Sequence, residues 1–290
     1  MSSYPYYIVD VFAEKKYAGN QLAVIRNAQP LSTEDMQRIA NEMHFSETTF
    51  IMSDKIKNGG YTVRIFTPEE ELPFAGHPTI GTAYVILHEI LSKPVSKVNL
   101  NLGVGQIPVT VKNNIFWMRQ VQPTFLKTFD ADAMAGVLGL EASDIDGRFP
   151  IQEVSTGIPF VIVPLRNLGA IRSIMINLKE FQALSPGAEN VGILTFCPEA
   201  VDKGNDIHVR VFTKYASVPE DPATGSGNGC LSAYLVKNRY FGEPKIDLKA
   251  EQGYEMGRPS ILYLNAEVKD GKYYISVGGK VILVAKGELV

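Results

Sequence analysis

The segment VRIFT at residues 63–67 recurs as VRVFT at residues 209–213. Each copy is apolar and rich in β-branched residues, which predicts a strand. Each strand is followed by a Gly-rich loop, FAGHPTIG at 74–81 and DPATGSGNG at 221–229, and then by an apolar segment that predicts a buried helix; the first helix should start after Pro78. Because strand, Gly-rich loop and buried helix occur twice in one order, we predict an α/β fold of two homologous, pseudo-symmetric halves.

Further elements surround the first of these segments. Residues 7–12, 22–25 and 49–52 are rich in β-branched and aromatic residues, which predicts strands. The segment LSTEDMQRIANEM at 31–43 carries one apolar stripe at helical spacing and acidic residues in its first turn. It predicts a surface helix with Thr33 as its N-cap.

The connection VQPTFLKTFDAD at 121–132 contains a proline and has no strong periodicity. These features are typical of a domain boundary. We therefore predict an N-terminal half over residues 1–122 and a C-terminal half over residues 123–290. Whether the last strand, at 280–284, crosses back to the N-terminal half stays open at this point.

Composition and charge restrict the class of partner. Lys and Arg number 28 and Asp and Glu number 31, so no strong net charge would attract nucleic acid or an anionic membrane. No apolar run reaches the roughly 20 residues that a membrane helix needs, and the N-terminus lacks a signal-peptide pattern. The two cysteines, Cys197 and Cys230, have no metal-binding spacing. We expect a cytoplasmic protein whose partner is a small molecule, with no metal site.

Four polar residues lie where they could act on a ligand. A Gly-rich loop that opens a helix offers backbone N–H groups to a carboxylate or phosphate. His77 lies in the first loop, Asp221 opens the second and Ser226 lies near the second helix start. Glu47 lies at the start of a strand, where burial would raise its pKa and let it transfer a proton near neutral pH. The alternatives are a solvent-exposed histidine, a helix-start turn at Asp221 and a solvated carboxylate at Glu47.

The combined motifs resemble the PhzF-like (phenazine biosynthesis) isomerase family, which has a diaminopimelate-epimerase-like fold. The resemblance covers almost the whole chain. It implies that each half is a mixed, largely antiparallel sheet wrapped around a central helix, with the active site between the halves. The matching segments, in family order, are VDVFAEKKYAGNQLAVI, MQRIANEMHFSETTFI, VRIFTPEEELPFAGHPTIGTA, VRVFTKYASVPEDPATGSGNG and EQGYEMGRPS.

The resemblance also implies roles for individual residues. Its Ser-Glu-Thr motif makes Glu47 the general acid/base, and its loop motifs imply that His77 and Asp221 take part in catalysis by binding and orienting the substrate. The implied substrate-binding residues, three of which would hold a substrate carboxylate at the second helix, are Asn20, Gly76, Gly225, Ser226 and Gly227.

The sequence departs from the family pattern at two positions, Gln21 in place of proline and Gly227 in place of alanine. Both changes bear on substrate choice more than on chemistry. Epimerases of this fold are expected to carry a catalytic cysteine on each loop, and neither loop has one here. Cys230 follows the second loop and does not align with those thiols, which argues against two-thiol racemisation.

We therefore predict a cofactor-independent isomerase that shifts a proton, and with it a double bond, on a small carboxylate-bearing substrate. The alternatives are an epimerase or racemase on the same scaffold, in which Glu47 and Asp221 would act on opposite faces of one carbon, and a non-catalytic protein that binds a small molecule. A homodimer is the assembly we expect, with no nucleic-acid or membrane partner.

Overall fold

The computed structural model describes residues 3–184, 191–213 and 219–290. The chain forms two compact units, one of Met1–Arg119 with Gly278–Val290 and one of Gln120–Val277. The division lies a few residues before the boundary that the sequence suggests. The end of the chain groups with the first unit, where the last strand pairs with the first.

The first unit is a mixed, largely antiparallel sheet with two helices. Its elements are β1 (Tyr4–Val11), β2 (Asn20–Arg26), α1 (Thr33–Met43), β3 (Thr48–Ile51), β4 (Tyr61–Phe66), β5 (Glu71–Leu72), α2 (Gly76–Val85), a π-helical turn (Ile86–Ile90), β6 (Lys97–Leu102), β7 (Gly105–Lys112), β8 (Ile115–Arg119) and β18 (Val281–Leu289). Antiparallel pairing joins β18 with β1, β1 with β2, β3 with β4, β6 with β7 and β7 with β8, whereas parallel pairing joins β2 with β3 and β4 with β6.

Helix α1 begins one residue earlier than the sequence predicts. The N-cap is Ser32, whose hydroxyl accepts a hydrogen bond from the Asp35 amide at 3.1 Å, so the assignment of Thr33 as N-cap is wrong. Ser and Thr are both good caps, and the chain alone does not choose between neighbours. The Thr33 hydroxyl instead accepts a hydrogen bond from Arg64 on β4, a residue distant in sequence.

Helix α2 is buried on nearly every side, as its sequence predicts. Every residue from Gly76 to Val85 is buried except Tyr84. The helix begins at Gly76 rather than after Pro78, and proline is accepted in a first turn because its missing N–H would have no partner there. Within the unit α2 packs against β1, β2, β3, β6, β7, β8 and β18.

Gly81 allows α2 to approach the strands closely. A Cβ atom at Gly81 would lie 2.6 Å from Leu22 Cδ2 and 2.8 Å from Val11 Cγ2. We expect Gly81→Ala to lower the free energy of unfolding by about 1–3 kcal/mol through overpacking, although alanine is the better helix former. Urea unfolding measures this change.

The matched control is Gly136, an exposed helical glycine in the second unit with no atom within 4 Å of its added Cβ. Gly136→Ala should raise the free energy of unfolding by about 0.5–1 kcal/mol, because only helix propensity changes. Equal effects of the two substitutions would contradict the close approach at Gly81.

The second unit repeats the pairing pattern of the first. Its elements are β9 (Thr124–Phe129), α3 (Ala131–Leu138), a 3₁₀ turn (Ala142–Asp144), β10 (Ile151–Ser155), β11 (Pro159–Pro164), α4 (Leu168–Arg172), α5 (Leu178–Leu184), β12 (Gly192–Cys197), β13 (Ile207–Phe212), β14 (Glu220–Asp221), α6 (Gly225–Lys237), β15 (Lys245–Gln252), β16 (Ser260–Lys269) and β17 (Lys272–Gly279), whose last two residues belong to the first unit. Antiparallel pairing joins β9 with β10, β10 with β11, β12 with β13 and β15 with β16, whereas parallel pairing joins β11 with β12 and β13 with β15.

Side-chain contacts repeat along with the strands. Arg64 on β4 makes a two-pronged ion pair with Glu71 on β5, at 2.7 and 2.6 Å. Arg210 on β13 makes the same pair with Glu220 on β14, at 2.8 and 2.9 Å. Helix α6 is also almost wholly buried, against β10, β11, β12, β15 and β16. The predicted α/β fold of two similar halves is therefore confirmed.

Among the residues that the structure describes, no helix combines the length and hydropathy needed to cross a membrane.

Candidate functional site

Glu47 lies in the short connection between α1 and β3 and is largely buried. Its side chain is 17% exposed, and its Oε2 atom is buried with no hydrogen-bond partner among the described residues. Burial raises the pKa of Glu47 to about 7, and a hydrogen bond with Ser46 opposes the rise. A carboxyl group with this pKa exchanges a proton readily near neutral pH.

His77 is the second residue of α2, and its ring faces Glu47. Nε2 lies 3.5 Å from Glu47 Oε2 and 3.3 Å from the carbonyl oxygen of Gln21. Because a carbonyl can only accept, we assign the hydrogen to Nε2. The 3.5 Å separation exceeds the usual hydrogen-bond length, so the imidazole provides a polar neighbour without occupying the carboxylate oxygen. The contact uses the Gln21 backbone, and the proline usual in the family would supply the same carbonyl.

Asn20 adds a third polar group to this cluster. It is the first residue of β2, is 2% exposed, and its Oδ1 accepts a long, weak hydrogen bond from the Ser46 hydroxyl at 3.5 Å. The preceding Gly19 has a φ of 68°, and a Cβ there would lie 2.3 Å from the carbonyl oxygen of Val11. The turn into β2 therefore requires glycine.

The first unit thus brings together four of the predicted site residues. Asn20 and Glu47 are linked through Ser46, Glu47 faces His77, and Gly76 precedes His77 at the start of α2. These residues come from two strand starts and one helix start, which the fold places side by side.

The other predicted residues form a second group, in the second unit. Asp221 ends β14, and its Oδ2 accepts the Thr224 hydroxyl at 2.5 Å. Gly225, Ser226 and Gly227 form the first turn of α6, whose N-cap, Thr224, makes no side-chain cap bond. The first N–H groups of a helix have no partner within the helix, so this turn can receive an anion.

Gly227 packs closely inside the second unit. An added Cβ would lie 3.2 Å from both Leu194 Cδ1 and Thr224 Cγ2. The alanine that is common in the family would fit only after small shifts of these neighbours.

Strand register shows that the two units are not equivalent in chemistry. Thr48 pairs with Phe66 in the first unit, as Ile193 pairs with Phe212 in the second. The residue that corresponds to Glu47 is therefore Gly192. The second unit has no carboxylate at this position, which favours chemistry by one acid/base over chemistry by two equivalent ones.

The cysteines are not suited to act as nucleophiles. Cys197 and Cys230 are buried, and burial raises the pKa of each thiol to about 11. A thiol in this state holds its proton at neutral pH. Within the described ranges, no three His, Cys, Asp or Glu side chains converge in a way that could hold a metal ion.

Sequence reasoning missed several residues that shape these groups. Ser46 bridges Asn20 and Glu47, and Gln252 on β15 contacts the loop before α6. Gln252 lies within the motif EQGYEMGRPS, for which the family resemblance implies no role of this side chain. The buried His208 and Glu251, with Glu255 nearer the surface, form a charged cluster that the sequence analysis does not predict.

The fold and these residues define an α/β enzyme of the isomerase and epimerase type. The chain belongs to the phenazine biosynthesis-like protein (PhzC-PhzF) family, whose model matches residues 9–287. The family resemblance read from the sequence is confirmed, and the chain is an isomerase-class enzyme.

Individual relatives agree with this assignment. An uncharacterized isomerase of Clostridium acetobutylicum is 33% identical, covering 99% of this chain and 98% of its own. The trans-2,3-dihydro-3-hydroxyanthranilate isomerase of Pseudomonas aeruginosa is 33% identical, covering 90% of each chain. The crystal structure of a PhzF-family phenazine biosynthesis protein of Bacillus anthracis is 29% identical, covers 100% of both chains and has a TM-score of 0.90.

Proposed function

We propose that the protein is a cofactor-independent isomerase that moves a proton within a small carboxylate-bearing substrate, with Glu47 as the general acid/base. The observation that carries this proposal is the buried Glu47 carboxyl group, with an unpartnered Oε2 and a pKa of about 7. Burying a carboxylate oxygen without a partner lowers the stability of the folded protein. Carboxyl groups whose pKa is strongly raised by burial are concentrated at functional sites.

The proposed reaction is balanced without an added reactant. Ionised Glu47 takes a proton from an acidic C–H bond, and the electron pair of that bond delocalises into the neighbouring double bond. Neutral Glu47 then returns the proton to another carbon of the same substrate, which shifts the double bond. His77, whose Nε2 lies 3.5 Å from Glu47 Oε2, is a polar neighbour of the carboxylate and is assigned to binding and orienting the substrate beside it.

We assign binding of the substrate carboxylate to the second group. The first turn of α6 combines backbone N–H donors with the positive end of the helix dipole, which stabilises an anion. Asp221, next to this turn, is assigned to orienting the substrate. Asn20 and Gly76 are assigned to substrate binding within the first group. A carboxylate next to the reacting carbon also makes the C–H bond more acidic once its charge is neutralised by these donors.

The first substrate to test is trans-2,3-dihydro-3-hydroxyanthranilate, because a relative at 33% identity is named for its isomerisation. The protein should be incubated in D2O with this compound and with a panel of small unsaturated and amino acids, and followed by proton NMR. Double-bond migration with deuterium entering the product supports the proposal.

Each other outcome has a definite meaning. Inversion of one centre without migration would indicate an epimerase or racemase. Binding without any exchange of C–H protons would indicate a non-catalytic binding protein. The methyl ester of a turned-over substrate is the control for the carboxylate, and equal turnover of acid and ester would contradict the role given to α6.

A further inference from the structure

Gln252 holds the loop that precedes α6 through four hydrogen bonds. It is fully buried at the end of β15, where parallel pairing sets it opposite Val209. Its Nε2 donates to the Asp221 carbonyl oxygen at 2.7 Å and to the Thr224 hydroxyl oxygen at 3.1 Å. Its Oε1 accepts from the Thr224 amide at 3.2 Å and from Asn228 Nδ2 at 2.9 Å. One side chain therefore contacts the loop before the helix and its first turn.

The orientation of the Gln252 amide follows from its backbone partners. A carbonyl oxygen can only accept and a backbone N–H can only donate, so Nε2 must face Asp221 and Oε1 must face the Thr224 amide. The Thr224 hydroxyl, which accepts from Nε2, then gives its own proton to Asp221 Oδ2 at 2.5 Å. Gln252 thus orients the Asp221 carboxylate through Thr224.

The next residue, Gly253, makes an independent contact with the same loop. Its φ is 77°, and an added Cβ would lie 2.5 Å from the carbonyl oxygen of Pro222 and 3.1 Å from its Cα. Only glycine allows this approach. Two consecutive residues of the chain thus anchor the loop, one by side-chain hydrogen bonds and one by backbone packing.

We propose that Gln252 is a positioning residue, which sets Asp221 and the first turn of α6 in place to receive the substrate carboxylate. This inference rests on the proposed function of the second group. Gln252 touches neither the reacting atoms nor the substrate in this scheme. Its effect should therefore appear mainly in KM, because it positions the groups that bind the carboxylate.

The test compares two Gln252 variants with a matched glutamine. Gln252→Met keeps the length of the side chain and removes all four hydrogen bonds. The control, Gln152→Met, removes a similarly buried amide that bonds Leu126 and Lys237 instead of the loop. KM and kcat are measured with trans-2,3-dihydro-3-hydroxyanthranilate, and hydrogen–deuterium exchange is followed in the peptide that contains 221–228.

We expect Gln252→Met to raise KM about 10- to 100-fold with a smaller change in kcat. The reason is that moving binding groups by about 1 Å can cost up to about 100-fold. Exchange at 221–228 should become faster. Gln152→Met should leave KM within about twofold of the wild type, because its partner Lys237 lies at the last residue of α6, at the opposite end from the first turn.

Gln252→Glu provides a pH readout and keeps the test valid if the methionine variant does not fold. Ionised glutamate keeps the acceptor oxygen for Thr224 and Asn228 but cannot donate to Asp221, whereas its protonated form regains one donor. The KM of Gln252→Glu should therefore approach the wild-type KM as the pH falls. A KM that stays parallel to the wild type at every pH would overturn the inference.

The results separate failure of this inference from failure of the proposed function. An active wild type with equal KM values for Gln252→Met and Gln152→Met would leave the function standing and remove Gln252 as a positioning residue. If the wild type turns over no carboxylate, the proposed function fails, and the exchange data alone decide whether Gln252 holds the loop. Unchanged exchange at 221–228 would overturn the inference in either case.

Discussion

Glu47→Gln is expected to slow proton transfer by about 10²- to 10⁴-fold, the usual contribution of a general acid/base. Glutamine has nearly the same shape but can neither take nor return a proton. Deuterium uptake and isomer formation in D2O measure the loss. Glu42→Gln, which changes an exposed carboxylate on the nearby α1, is the control and should keep full activity. Activity that survives in Glu47→Gln would remove Glu47 from its proposed role.

The same substitution should make the protein more stable at alkaline pH. Burial raises the pKa of Glu47 from 4.5 to about 7, so the folded protein binds this proton more tightly than the unfolded chain does. The folded state is then penalised progressively as the pH rises from about 4.5 to 7, by up to about 3 kcal/mol. Glutamine avoids this penalty, so urea unfolding should favour Glu47→Gln above pH 7 and show little difference near pH 4.

The pKa of Glu47 also sets an expected pH profile. As a base, Glu47 must be ionised in the free enzyme, so kcat/KM should rise with pH and level off above about 7. A rise centred near 4.5, the ordinary value for glutamate, would show that burial does not control the carboxyl group.

His208→Leu is expected to cause the largest loss of stability. His208 is fully buried on β13, where Nδ1 lies 2.7 Å from Glu251 Oε1 and Nε2 lies 3.1 Å from Glu255 Oε1. Removing the imidazole leaves the fully buried Glu251 without its charged partner, which costs about 3–5 kcal/mol. Urea unfolding at pH 6 measures the loss. His88→Leu, at an exposed histidine, is the control and should change stability by about 0.5 kcal/mol or less.

The stability loss in His208→Leu should depend on pH. Burial alone would lower the pKa of His208, but the hydrogen bonds that its ring donates to Glu251 and Glu255 outweigh it and the pKa is raised. The contribution of protonated His208 to the free energy of unfolding is fully present below pH 6.5 and is lost as the pH rises through its folded-state pKa.

Glu251 and Glu255 set the lower limit of the pH range in which the cluster stabilises the protein. Burial would raise the pKa of Glu251 and of Glu255, but hydrogen bonds, first those from His208, outweigh it and both values are lowered from 4.5. The contribution of the two ionised carboxylates to the free energy of unfolding is present above pH 4.5 and is lost as the pH falls through their folded-state pKa values. The difference in the free energy of unfolding between the wild type and His208→Leu should therefore be largest between about pH 4.5 and 6.5. A difference that does not change with pH would contradict stabilisation by a charged cluster.

The sequence indicated more of the fold than of the site. The VRIFT and VRVFT segments with their Gly-rich loops predicted two similar halves, because apolar periodicity and glycine act over a few neighbouring residues. The N-cap of α1 was misassigned because Ser32 and Thr33 are chemically alike. Their roles differ only through Arg64, which a distant strand brings to Thr33.

By itself the sequence determined the family, the two strand-loop-helix repeats and Glu47 as the candidate acid/base. Each of these follows from short motifs of residues that are contiguous in the chain. Only the tertiary structure decided that Glu47 is buried beside His77, that its counterpart is Gly192, and that Gln252 holds the loop at Asp221. The physical reason is that burial, pKa and hydrogen bonding depend on distances between atoms. The contacts concerned, such as those of Glu47 with His77 and of Gln252 with Asp221, are between residues far apart in the chain. A pattern of neighbouring residues therefore cannot predict them.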